Sequence, residues 1–174
     1  MSDPRYPVGR FAPPDSFTAA VRRELIDTIA AVPARLRAAV ERLSADQLAT
    51  PYREGGWSVA QVVHHLADSH MHAYLRCKFA LSEDAPAIRA YSEAGWAQFA
   101  DAGSADIASS LSILDGLHRR WAALLSSLAP GEFERTFVHP EHGPMALDRV
   151  LALYAWHGRH HVAHIVELRT RKGW

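Results

Sequence analysis

Apolar residues recur at helical spacing through four long stretches of this chain. In residues 16–43 they are Phe17, Val21, Leu25, Ile26, Ile29, Leu36, Val40 and Leu43, a stripe along one helix face. Pro33 interrupts the stripe and predicts a kink or a break, with Pro33 starting the second piece. Asp15 or Ser16 stands where a cap is needed. Residues 58–81 present Val59, Val62, Val63, Leu66, Met71, Tyr74, Leu75 and Phe79, and Ser58 with Gln61 makes a capping box at their start. Residues 106–128 carry Ile107, Leu111, Leu114, Leu117, Trp121, Leu124, Leu125 and Leu128, and end at Pro130-Gly131. Residues 147–171 carry Val150, Leu151, Leu153, Tyr154, Trp156, Ile165 and Leu168, and Lys172-Gly173 closes them.

The segments between are short of such periodicity. Residues 45–56 form a connector with Pro51 and Gly55-Gly56, and residues 83–90 a loop around Pro86. Residues 92–100 predict a short helix with Trp96 and Phe99 turned inward. Residues 136–145 hold Pro140, Gly143 and Pro144, a turn-rich loop with room for an extended piece at Phe137-Val138. The first 14 residues contain Pro4, Pro7, Pro13 and Pro14. They read as an extended arm that Tyr6, Val8 and Phe11 could pin to the body. Strand signals are weak throughout. The expectation is an all-α fold: a four-helix bundle with an extended N-terminal arm, one domain over residues 1–174.

Charge and composition narrow the function classes. Nineteen acidic and nineteen basic residues balance to a formal net charge of zero. No basic run or stripe supports nucleic-acid binding. No apolar run reaches membrane-spanning length and no signal-peptide pattern opens the chain. The single cysteine, Cys77, excludes an intrachain disulfide framework and suits a reducing compartment. A cytoplasmic location is the expectation.

Histidine supplies the candidate chemistry. Eight of eleven histidines lie in two short helical stretches: His64, His65, His70 and His72 in one, His157, His160, His161 and His164 in the other. Imidazole is the commonest protein metal ligand. Residues four apart on a helix stack on one face, so His157/His161 or His160/His164 could grip one ion. His65 and His72 point the same way, with Asp68 and Ser69 flanking that face, while His64 points a quarter-turn away. The strongest assembly is His65 with His157 and His161: three neutral imidazoles and an open position, the pattern of a catalytic divalent site. Spacing alone does not choose between such a site and two solvated faces, nor between the two histidine pairs. His70, His72, His118, His139 and His142 read as surface or hydrogen-bonded core residues.

Five segments carry a resemblance. Tyr6-Pro7-Val8-Gly9, Thr50-Pro51-Tyr52-Arg53-Glu54-Gly55-Gly56-Trp57-Ser58-Val59, Val62-Val63-His64-His65-Leu66-Ala67-Asp68-Ser69-His70, Pro86-Ala87-Ile88-Arg89 and Trp156-His157-Gly158-Arg159-His160-His161-Val162-Ala163-His164-Ile165 closely resemble the YfiT-type proteins of the DinB-like superfamily. These are named as metal-dependent hydrolases, and the superfamily includes bacillithiol S-transferases. The resemblance implies a four-helix bundle holding one divalent metal ion through His65, His157 and His161; imidazole ligands suit zinc, nickel, iron and copper, and zinc or nickel is the expectation. It also implies a homodimer.

Such a site suits two reactions. An open position can hold water, lowering its pKa to about 7, or a thiol, which coordination deprotonates. The resemblance favours activation of a low-molecular-weight thiol for S-transfer to electrophiles, with hydrolysis second. Arg53, Arg89 and Arg159 are candidates to meet carboxylates on such a thiol, although surface ion pairing explains each as well. Asp68 and Glu167 could orient ligand imidazoles, although solvated carboxylates are the simpler reading. Cys77 reads as packed, not nucleophilic. The reading from a different class is a non-catalytic metal-binding or stress-response module.

Overall fold

The computed structural model describes residues 3–174. Four rods make the bundle. The first is a broken pair, α1 (Ala19–Ala30) and α2 (Val32–Val40), parted at Ala31 with Pro33 in the first turn of α2. A short helix α3 (Ala45–Leu48) precedes the second rod, α4 (Val59–Ser82). A one-turn α5 (Glu93–Trp96) precedes the third, α6 (Ala108–Ser127). The fourth is α7 (Leu147–Lys172). The α1–α2 rod packs on α6 and α7, and α4 packs on the same two. The broken rod therefore sits diagonally opposite α4.

Local chemistry accounts for most boundaries. Ser58 and Gln61 close the expected capping box on α4. Gly173 ends α7 in the left-handed conformation, φ +69°, where glycine carries no Cβ penalty. Thr18 caps α1, its side chain accepting from the Val21 N–H, so the cap lies beyond the expected Asp15 or Ser16. The connector hides α3 because Ser44 and Gln47 form a second capping box there. Residues 136–146 form a two-stranded antiparallel hairpin, β1 (Thr136–His139) and β2 (Gly143–Ala146). The expected extended piece at Phe137-Val138 lies in β1; the turn at residues 140–142 pairs it with a second strand too short to register in the sequence pattern, and Phe137 and Met145 seat the two on the core.

Some apolar residues face solvent. Phe99 is 59% exposed, and Leu75 and Phe79 are nearly half exposed; the rest of the α4 stripe suffices to fill its two interfaces. The arm holds two tight turns, from Tyr6 N–H to the Asp3 carbonyl and from Gly9 N–H to the Tyr6 carbonyl, before it extends. Tyr6 and Phe11 rest beside His160 and Trp156 of α7, while Val8 is exposed. Residues 1–2 of the expected arm lie outside the described residues. Among the described residues, no helix is long and apolar enough to cross a membrane.

The core has two lobes. One gathers Ile26, Ile29, Trp121, Leu125, Leu151 and their neighbours; the other gathers Leu36, Val63, Leu66, Leu114, Ile165 and theirs. On every rod the two lobes meet at the same level. At that waist the apolar residues give way to histidines: His65 and His70 on α4, His118 on α6, His157 and His161 on α7. The break between α1 and α2 lies at the same height.

Candidate metal centre

Helical spacing places His157 and His161 on one face of α7, and α4 brings His65 across to them. One ring nitrogen from each of the three lies within 4.8 Å of the other two. The Nε2 atoms of His65 and His157 face each other at 3.3 Å. Two nitrogens each about 2.05 Å from a tetrahedral ion stand about 3.3 Å apart, so this gap fits a small divalent cation. Nδ1 of His161 is buried without a hydrogen-bond partner. The donor set therefore fits a metal ion.

Close helix packing makes the geometry possible. A Cβ on Gly158 would run into Cγ2 of Val32 at the start of α2. A glycine inside a helix costs about 1 kcal/mol, and here it lets α7 approach the broken rod beside His157. Replacing Gly158 with alanine is expected to force the two apart. A net destabilisation of about 1–2 kcal/mol should accompany weaker zinc binding, read by thermal unfolding and by competition with a chromophoric chelator.

The surroundings are aromatic. The Trp57 ring lies 4.7 Å from His65, and the Tyr154 ring 5.4 Å from His157. Burial holds His65 down to about 4, and holds His157 and His161 well below the ordinary imidazole value, helped by the neighbouring imidazoles. All three are neutral, as metal binding requires. The sign of the pH effect follows. Between about 6.5 and about 4 the unfolded chain binds protons that the folded chain refuses, so stability falls with pH across that window. For His65 alone the loss by pH 5 is on the order of 2 kcal/mol. Urea unfolding of metal-free protein at pH 7 and pH 5 should show it, and equal midpoints would refute the neutral buried cluster.

The other histidines divide by contact. His160 and His164 serve the arm: the His164 ring stacks on Tyr52 at 4.0 Å, and its Nε2 lies 3.4 Å from the Arg5 carbonyl. Beside them Trp156 Nε1 donates to the Gly9 carbonyl. His64 turns away to Ser110 and the Ser104 carbonyl. His72 stacks on Tyr91. His139, Glu141 and His142 gather on the hairpin turn.

Behind the triad runs a chain of imidazoles. Nδ1 of His157 lies 3.1 Å from Nε2 of His70. Nδ1 of His70 lies 2.9 Å from Nε2 of His118, and Nδ1 of His118 lies 2.7 Å from the Ile29 carbonyl oxygen. Sequence reasoning read both as surface or hydrogen-bonded core residues; the structure shows the second, and what the sequence did not reveal is that they join in one chain. The available signal was their position: each occupies a core place in its apolar stripe, between Leu66 and Tyr74 on α4 and between Leu114 and Trp121 on α6.

The expected carboxylate partners lie elsewhere. Glu167 pairs with Arg171 at 3.8 Å. Asp68 is half-buried, and its pKa is raised by burial and by Asp101. Arg89 and Arg159 are exposed, while Arg53 lies over the Tyr52 ring. Two buried donors went unnoticed in the sequence. Arg76 Nε, on the face of α4 that continues from His65 through Ser69 and His72, and the hydroxyl of Tyr91, whose ring stacks on His72, have no hydrogen-bond partner, while Arg76 Nη2 donates to the Arg89 carbonyl at 3.3 Å. Cys77 is buried, and burial pushes its thiol up to about 12, which leaves it inert near neutral pH.

Known proteins share this architecture. Residues 28–165 match the DinB superfamily. A Geobacillus kaustophilus protein provisionally named a metal-dependent hydrolase is 53% identical over 98% of this chain and 96% of its own length. Bacillus subtilis YfiT, with the same provisional name, is 48% identical over 97% of this chain and 96% of its own. The solved structure of YfiT, described as "a probable metal-dependent hydrolase with an unusual four-helix bundle topology", superposes with a TM-score of 0.95 at 47% identity, covering 98% of both chains.

Proposed function

Because this chain belongs to the DinB superfamily, we propose that it is a metal-dependent enzyme. In this reading His65, His157 and His161 hold one divalent ion, zinc or nickel, and the site activates a low-molecular-weight thiol for transfer to an electrophile. The single observation that carries the reading is the convergence of three imidazole nitrogens, two of them on buried residues and one on a half-buried one, within 4.8 Å of one another. A divalent ion held there would supply Lewis acidity at an open position, lowering the pKa of a thiol or water that enters it. Neutral ligands leave that ion its full charge. The rings of Trp57 and Tyr154 flank the site, and such apolar walls strengthen electrostatic interactions beside them.

The unpartnered donors favour a thiol that carries carboxylates. Arg76 lies three helical turns beyond His65, about 16 Å along α4, with Tyr91 nearby. Together they offer a cation and a hydroxyl to an extended anionic thiol. Hydrolysis at the same centre is the second reaction.

The test is turnover of an activated aryl halide by zinc- or nickel-loaded protein with and without added thiol. Thiol-dependent turnover is expected. Turnover that persists without thiol would move the assignment to hydrolysis. Metal release without turnover would leave a non-catalytic metal-binding or stress-response module. Residence in the cytoplasm belongs to the same reading. So does a homodimer, which sedimentation would detect and for which Leu75 and Phe79 offer an exposed apolar pair one turn apart.

A further inference from the structure

We propose that His70 and His118 are positioning residues that lock His157 in the tautomer whose Nε2 lone pair faces the metal position. The inference rests on the metal reading above for its purpose, but its proton count stands on geometry alone.

The count starts at the Ile29 carbonyl, which can only accept. His118 must therefore carry its proton on Nδ1, facing that oxygen at 2.7 Å. In a neutral imidazole the other nitrogen is then a bare acceptor. The 2.9 Å gap between His118 Nε2 and His70 Nδ1 holds one proton, so His70 supplies it. His70 Nε2 becomes the acceptor, and the 3.1 Å gap to His157 Nδ1 takes its proton from His157. Nε2 of His157, the atom facing His65 at 3.3 Å, is left with a lone pair. Each hydrogen bond dictates the next, so the direction of the whole chain is set at its far end.

Pro33 explains why that end is free. In a continuous helix the amide N–H at position 33 would bond to the carbonyl of residue 29. Proline has no N–H, and the helix breaks there. The Ile29 carbonyl is left without its regular helical partner at the bundle waist, and His118 takes that place. The chain thus touches all four rods: α1 at Ile29, α6 at His118, α4 at His70 and α7 at His157. It ends on an atom with no proton to give, so it sets polarity and does not conduct protons. Imidazoles here do the work that carboxylates or carbonyls usually do behind a metal-bound histidine.

The experiment reads tautomers directly. Long-range nitrogen–proton spectra of the full chain labelled at histidine, free of metal, distinguish the two forms of His157. The wild type is expected to show the Nδ1–H form. H118Q keeps a donor for Ile29 and an acceptor for His70, so it should keep that form and bind zinc within about threefold of wild type. H118L keeps neither; mixed tautomers and a 10–100-fold loss of zinc affinity are expected, the range usual for the partners of ligand histidines. An Nε2–H form in the wild type would overturn the inference. So would H118L with an unchanged tautomer and unchanged zinc affinity. Absence of zinc binding in the wild type would instead overturn the metal reading, and the metal-free tautomer would still decide the relay.

Discussion

Replacing His157 and His161 together with alanine is expected to empty the protein of metal. Prepared without a histidine tag, the wild type should carry about one divalent ion per chain, as one three-imidazole site implies. The double variant should carry none above background, even after incubation with zinc or nickel. Both rings lie on one face of α7 and meet His65 across the bundle, so removing two of three donors leaves a single imidazole. Stability should follow the same division. An ion present at about 1,000 times its dissociation constant stabilises the native state by about 4 kcal/mol. Zinc should therefore raise the melting temperature of the wild type and leave that of the variant unmoved. Elemental analysis beside a thermal scan reads both. Equal metal content in the two proteins would remove the basis for a metalloenzyme.

The second large effect is expected at Trp121. Its side chain is fully buried beneath the imidazole chain, edge-on to His70, His118 and Tyr154. Trp121→Ala would leave a cavity at the waist where all four rods meet. A cost of about 4 kcal/mol is expected, which for a domain of this size lowers the melting temperature by about 12 °C. His70 and His118 would also lose the wall that holds their rings, so zinc affinity should fall with stability. Trp121→Phe keeps most of the apolar volume and should recover most of both. A Trp121→Ala protein that melts as the wild type does would show that the waist repacks freely.

These two expectations draw on different levels of the chain. Spacing made two candidate pairs legible, His157/His161 and His160/His164, because a helix stacks positions four apart whatever surrounds it; only the family resemblance chose the first. The four rods were legible for the same reason: each carries a long stripe with a proline, glycine or capping box at its ends. Of the hairpin at residues 136–146 only the extended piece at Phe137-Val138 and the turn were expected; its pairing with residues 143–146 was not, because four-residue strands are stabilised by seating Phe137 and Met145 on the core, not by local pattern. Phe99 was expected inside and lies outside, since a one-turn helix has too few residues to define a face.

His70 and His118 mark the boundary between the two kinds of knowledge. Their places in the apolar stripes were readable, and so was the gap that Pro33 leaves at Ile29. That these groups touch was not, for they stand on three different helices and are 41 to 89 residues apart along the chain. By itself the sequence determined the long helices, the break at Pro33 and the faces on which histidines stand, because those depend on backbone geometry within a few residues. Which histidines meet, which serve the arm, and where each proton resides were decided only by tertiary structure. Hydrogen bonds act across about 3 Å, and only packing brings distant residues that close.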